Sequence, residues 1–286
     1  MSRQPIVTCL DICSEESDDK VTGRNGLETG TWIAHARKIL DYIDTEQMEP
    51  ISRAAEICAA TIGSGGLVHM FGTGHSRIAL EEMFPRYGSY PGFNPIAELS
   101  MTFHTQVVGA NGQRQAMFIE RVEGLGEVIL SNFSYGARDA FMVFSAGGRS
   151  AVPIEVAMGA HDRGLKVIAV TSVSESLAGP ATHSSGTRLL DHADVLIDVG
   201  TPIGDGLVSI PDLESPVGPG STLAYAAIVN EIKVQTARRL VDSGSMPAVI
   251  TAASVVGADR SKELFEAAYA DHAGRIARAI TPDRRS

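Results

Sequence analysis

Twice in this chain a short run of apolar residues ends in a turn of glycines and hydroxyl side chains, then gives way to helix-forming sequence. Leu67-Val68-His69-Met70-Phe71 leads into Gly72-Thr73-Gly74-His75-Ser76, and Ala140-Phe141-Met142-Val143-Phe144 leads into Ser145-Ala146-Gly147-Gly148-Arg149-Ser150. Apolar runs of this length without polar alternation read as strands buried on both faces, the habit of parallel sheets covered by helices. Lys166 to Val170 and Asp194 to Val199 repeat the pattern, and Pro91 to Ile96 is a weaker strand. Helical periodicity fills the intervals. Trp32, Ala36, Ile39, Leu40 and Ile43 share one face, and further helices are expected at Pro50–Thr61, from Ser76 to about Arg86, at Ala151–Arg163, from Ser221 to Ser243 and from Ser261 to about Ile280. Phe118 to Phe133 is amphipathic and reads as helical in its second half. Strands alternating with helices of this length predict an α/β fold with three layers, α/β/α.

The 286 residues divide on this reading into a loose acidic leader (1–30), one α/β domain with its N-terminal helices (31–245) and a C-terminal extension ending in a helix (246–286). Ile6 to Leu10 could add a short strand to the leader. Thr201 to Gly220, with Pro202, Pro211, Pro216 and Pro219, reads as a long loop of the kind that usually serves function. Basic residues number 24 against 34 acidic, a net charge of −10. This balance argues against a binder of nucleic acid or of an anionic membrane, which needs a basic surface. Three cysteines, Cys9, Cys13 and Cys58, suit a reducing compartment better than a disulfide scaffold. With no signal peptide and no apolar stretch of membrane-spanning length, a cytoplasmic protein is expected.

Glycine- and hydroxyl-rich turns between a strand and a helix suit a phosphate: the backbone can approach closely, the first-turn N–H groups are unpaired and the helix dipole favours an anion. Either turn alone could be an ordinary connection. Gly72-x-Gly74 is not a dinucleotide fingerprint, because Arg77 stands where the third glycine belongs. No Gly-Lys-Ser/Thr occurs, which excludes a Walker loop. The pair of turns points to a monophosphate held by serine hydroxyls and backbone amides.

These two turns, with Val170-Thr171-Ser172, Ser176-Leu177-Ala178 and the strand Asp194 to Asp198, resemble the sugar isomerase (SIS) domain family over about Trp32 to Val241. Gly74-His75-Ser76 with Glu81-Glu82 and Arg86, Asn94-Pro95-Ile96, His183 to Gly186 and Gly218 to Thr222 look closest to a bacterial phosphosugar-binding branch, distantly like phosphoheptose isomerase. The resemblance implies a five-stranded parallel sheet flanked by helices, a sugar-phosphate ligand, and a homodimer or homotetramer with sites at the interfaces. It implies phosphate bound by Ser76, Ser145 and Ser150, with Gly74, Gly147, Gly148, Arg149, Thr171 and Ser172 completing the site. Plain turn and cap roles are the alternative for each. One departure is Gly147, where the family motif commonly has serine. Another is Arg86, where phosphoheptose isomerases carry a glutamate.

The function expected is aldose–ketose isomerisation through an enediolate, without a cofactor; a non-catalytic phosphosugar sensor and an amino-sugar phosphate lyase or etherase remain alternatives. A base is needed. Candidates are Glu231, inside an apolar helix that in a related isomerase domain carries a catalytic glutamate, and Glu82, six residues past Ser76; both could equally be structural or surface carboxylates. His75 in the first turn could assist or simply pack, and His183 could reach a neighbour's site. No metal is expected: Cys9 and Cys13 have no partners at ligand spacing, and Asp191, His192 and Asp194 read as a polar start to a strand. His104 could be pocket or surface. Met70, Met101, Met117 and Met142 read as core.

Overall fold

The apolar runs are the strands. The computed structural model describes residues 29–102 and 112–280; Cys9, Cys13, His104 and the expected strand at Ile6 to Leu10 lie outside them. In chain order the elements are α1 (Thr31–Glu46), α2 (Met48–Gly63), β1 (Val68–Gly72), α3 (Arg77–Met83), β2 (Phe93–Ile96), α4 (Leu99–Thr102), α5 (Gly112–Ile119), α6 (Leu125–Leu130), β3 (Ala140–Phe144) and α7 (Ala151–Asp162). There follow β4 (Lys166–Thr171), α8 (Val173–Leu177), β5 (Val195–Asp198), β6 (Gly206–Val208), β7 (Val217–Pro219), α9 (Ser221–Asp242), α10 (Ala253–Val256) and α11 (Ala258–Ile280). The sheet is five-stranded in the order β2-β1-β3-β4-β5, and every pairing is parallel.

Side-chain alternation along each strand separates two cores. Val68, Met70, Met142, Phe144, Ile168 and Val170 face α1, α2, α3 and α9, where Ile39, Ile51, Leu80 and Ile228 meet them. Phe71, Phe141, Val143, Val167 and Ala169 face the other way, toward Ile129 and Leu130 of α6 and Val152, Ile154 and Val156 of α7. Both faces of the central strands are thereby removed from water, which is why they carry no polar alternation.

Some expectations change: Met117, expected in the core, is 44% exposed, and Leu40 turns away from the packed face of α1 at 39% exposed. The second half of Phe118–Phe133 is helical as expected, as α6, while α5 reaches into its first half and ends at Ile119, with Gly124 at φ 89° between the two. A left-handed backbone of that kind stops a helix and is open to glycine. Thr201–Gly220 is not all loop, since β6 and β7 pair antiparallel within it. There Gly218, at φ 75°, carries its carbonyl to Trp32 Nε1 at 3.1 Å, which anchors α1.

His69 is the one fully buried polar side chain in the middle of β1. Its Nδ1 lies 3.0 Å from Asn94 Nδ2, its Nε2 lies 3.4 Å from Asp139 Oδ2, and its ring stacks on Phe141. Asp139 also accepts from the Leu67 and Gly136 amides at 2.8 and 2.7 Å. Burial by itself would raise the Asp139 pKa; the hydrogen bonds from His69, Leu67 and Gly136 outweigh it and hold the carboxyl below the usual aspartate range. A depressed folded-state pKa contributes stability above the unfolded value and loses it as pH falls through the folded one. Asp139→Asn should therefore cost about 1–3 kcal/mol at neutral pH. In urea titrations the difference from the native chain should vanish in acid.

Candidate functional site

Strands β1 and β3 are neighbours in register, with Gly72 opposite Phe144, so their following turns emerge side by side at the carboxyl edge of the sheet. After Gly72 the chain makes a short 3₁₀ turn, Gly74–Ser76, with Gly74 at φ 56°. Ser76 is buried, its Oγ 3.3 Å from Tyr225 Oη of α9. Burial pushes the Tyr225 phenol well above its ordinary pKa, so it stays protonated as a partner for Ser76.

The second turn is built by the backbone. Ser145 Oγ accepts from the Gly148 amide at 3.2 Å, and Gly148 sits at φ 58°. A Cβ on Gly148 would stand 2.8 Å from Thr171 Oγ1 and 2.9 Å from Ser176 Oγ. At Gly147 the nearest atom to an added Cβ is Glu175 Cγ at 3.9 Å, so the missing serine of the family motif leaves open space. Ser150 flanks α7 in the N-cap position without making a cap bond. Its hydroxyl donates instead to Glu120 Oε1 at 3.0 Å.

Glu120 joins the two turns. While Ser150 holds one carboxylate oxygen, Thr73 Oγ1 donates to the other at 2.6 Å. The Glu120 carbonyl accepts from the Val152 amide at 3.0 Å, pinning the break between α5 and α6 to the start of α7. Around this carboxylate lies a cavity of about 620 Å³ lined by Ser76, Glu120, Arg121, Ser145, Ala146, Gly147, Arg149, Ser150, Ala151 and Thr182. That volume lies in the range of small-molecule sites. Arg149 pairs with Glu175 at 2.9 Å, and the exposed Arg121 side chain forms no ion pair among the described residues. Ser145 Oγ is an acceptor in its one hydrogen bond here, which leaves its proton for a ligand, whereas the Ser150 proton is committed to Glu120.

Of the expected residues, Ser76, Ser145, Gly147, Arg149 and Ser150 line the cavity. Gly74 and Gly148 shape the turns. Thr171 and Ser172 lie outside it and support it: Thr171 Oγ1 and the Ser172 amide both donate to Ala146 O, at 3.2 and 3.0 Å, and Ser172 Oγ donates to Thr201 O. His75 is exposed and does not line the cavity. His183, one residue past Thr182, lies near the rim, with Nε2 3.5 Å from Glu155 and Nδ1 2.7 Å from Ser185 Oγ.

Neither expected base lines the cavity. Glu82 pairs with Arg86 at 2.7 Å and accepts from Asn230 Nδ2 at 3.2 Å. Glu231 accepts from Gln235 Nε2 at 2.9 Å. The reason is rotational: Tyr225 is the α9 residue turned to the first turn, and six residues further a helix has rotated about 600°, well off that face. Glu120 and Arg121, which do line it, lie between α5 and α6, in the first half of the Phe118–Phe133 stretch, where the sequence shows amphipathic character and no motif. The turn glycine four residues later, Gly124, was the available sign. Among the described residues, no group of three or more His, Cys, Asp or Glu is arranged to hold a metal ion. No described helix is long and apolar enough to cross a membrane.

The model of the SIS domain matches residues 31–172, the part of the chain that carries both hydroxyl-rich turns at the carboxyl edge of the parallel sheet. The chain belongs to this family. Within it, the chain is 31% identical over 221 residues to a UPF0309 protein of Streptomyces avermitilis, covering 77% of this chain and 86% of that one. It is also 31% identical over 222 residues to a UPF0309 protein of Halalkalibacterium halodurans, covering 78% and 89%. A solved phosphoheptose isomerase from Neisseria gonorrhoeae is similar at 15% identity and a TM-score of 0.46, covering 71% of this chain and 94% of that one.

The contrast between the two turn glycines gives a direct check. Gly148→Ala should cost about 1–2 kcal/mol from its left-handed backbone alone, and more from the Thr171 and Ser176 contacts. Gly147→Ala should leave the melting temperature nearly unchanged.

Proposed function

We propose that this protein binds an open-chain sugar phosphate and interconverts its aldose and ketose forms, with Glu120 as the base. The observation that carries this is a carboxylate, the only one among the cavity-lining residues, tied by Thr73 and Ser150 between two turns suited to a phosphate. In this reading the phosphate lies against Ser76, Ser145 and the amides near Gly147, at the N-terminal end of α7, whose dipole favours it. Thr73 and Ser150 hold Glu120 rather than the phosphate. Glu120 takes the proton from C2 as the C1 oxygen gathers charge, and returns it to C1 as the C2 oxygen becomes the carbonyl. The hydroxyl proton passes from O2 to O1. The guanidinium groups of Arg121 and Arg149 supply donors for the enediolate oxygens.

Proton NMR in deuterated buffer with a panel of phosphosugars tests this. One sugar should lose the proton beside its carbonyl. Glu120→Gln should abolish that exchange with binding retained, and Glu231→Gln should leave it intact. Ser145→Ala should weaken binding, while Ser150→Ala should mainly lower turnover. Binding by every variant without exchange in the native chain would identify a sensor and remove the isomerase reading.

We also propose a homodimer or larger assembly, supported by the exposed Ile33 and Leu40 on α1 and Val234 and Val241 on α9. Sedimentation should show at least twice the 30.2 kDa chain mass.

A further inference from the structure

At the opposite edge of the sheet, a second cavity of about 510 Å³ opens between the end of α11, the turn from α2 to β1 and the lead into β3. Its wall holds three arginines, Arg138, Arg275 and Arg278, and one carboxylate, Asp139. Asp139 is already engaged with His69 and two backbone amides. In a chain of net charge −10, three guanidinium groups here face two carboxylates, Asp139 and the Asp271 that pairs with Arg275, which leaves a local excess of positive charge.

The arginines are fixed by backbone carbonyls. Arg275, only 8% exposed, donates through Nη1 to Ile62 O and Gly66 O at 2.9 and 2.8 Å and through Nε to Asp271 at 2.9 Å. Arg278 reaches Gly65 O and Gly274 O, and Arg138 reaches Ser64 O. These bonds cover the carbonyl end of α2, where a helix leaves acceptors unpaired. They use fewer than half of the N–H donors that three guanidinium groups carry, at five each. These bonds already fix the guanidinium heads, so a ligand that takes up the remaining donors costs the arginines little side-chain freedom.

We infer that this cavity binds a small phosphorylated anion carrying at least two negative charges, at a site separate from the phosphosugar cradle. Guanidinium forks match phosphate oxygens in geometry and charge. The location gives such a ligand a purchase on catalysis. Leu67 and Asp139 line the cavity and lead directly into β1 and β3, the two strands whose far ends carry the cradle turns. The inference does not depend on which reaction the cradle performs.

Inorganic pyrophosphate titrated calorimetrically into the full chain tests it. Saturable binding should appear, weaken with added salt and survive Ser145→Ala. The double variant Arg138→Gln/Arg278→Gln should lower the affinity by about tenfold or more. Because those arginines also tie the α2 turn, Ala277→Glu serves as a second variant. It removes no side-chain bond, sets a carboxylate at an exposed position on the cavity wall, and should cause a similar loss. Absence of saturable binding, or binding that disappears with Ser145→Ala and persists in both cavity variants, would overturn the proposal.

Discussion

The site exists because β1 and β3 are hydrogen-bonded neighbours in parallel register. Their residues are more than seventy positions apart in the chain, yet Gly72 lies opposite Phe144 and the two following turns leave the sheet at the same edge. A parallel pair cannot be joined by a tight hairpin, so the chain must cross over between them. Here the crossover contains β2 and the helices α3 to α6, and its last part is used to carry Glu120 back over both turns.

The energetic division of labour follows from that placement. Apolar burial on both sides of β1, β3 and β4 makes the scaffold rigid, with Phe141, Phe144, Val167 and Ile168 fully removed from water. Rigidity is what lets short polar contacts at the strand ends hold a fixed geometry. Thr171 and Ser172 illustrate it: Thr171 Oγ1 and the Ser172 amide donate to Ala146 O, so they brace the second turn from beneath and do not line the cavity. Glu120 is the counterpart above, held by one hydroxyl from each turn. Two donors on its two oxygens fix the orientation of this carboxylate above both turns.

The chain uses charge in an uneven way. It is acidic overall, yet arginines gather in two places, Arg121 and Arg149 beside the cradle and Arg138, Arg275 and Arg278 at the other edge. Local donors at short range outweigh a net charge that salt screens beyond about 8 Å. An acidic total charge is therefore compatible with anionic ligands at both ends of the sheet.

Much of this was written in local sequence. The strands were legible because burial on both faces demands unbroken apolar runs, and the helices because packing on one face demands a 3.6-residue period. The turns at Gly72–Ser76 and Ser145–Ser150 were legible because left-handed backbone at Gly74 and Gly148 calls for glycine. What the sequence could not decide was direction in space. In a one-dimensional reading Glu82 and Glu231 stand out as candidate carboxylates, and nothing singles out Glu120. Only the tertiary structure turns Glu82 to Arg86 and Glu231 to Gln235, and brings Glu120 onto Thr73 and Ser150. That choice rests on where one helix breaks and how another is rotated, and packing sets both through contacts between residues far apart in the chain.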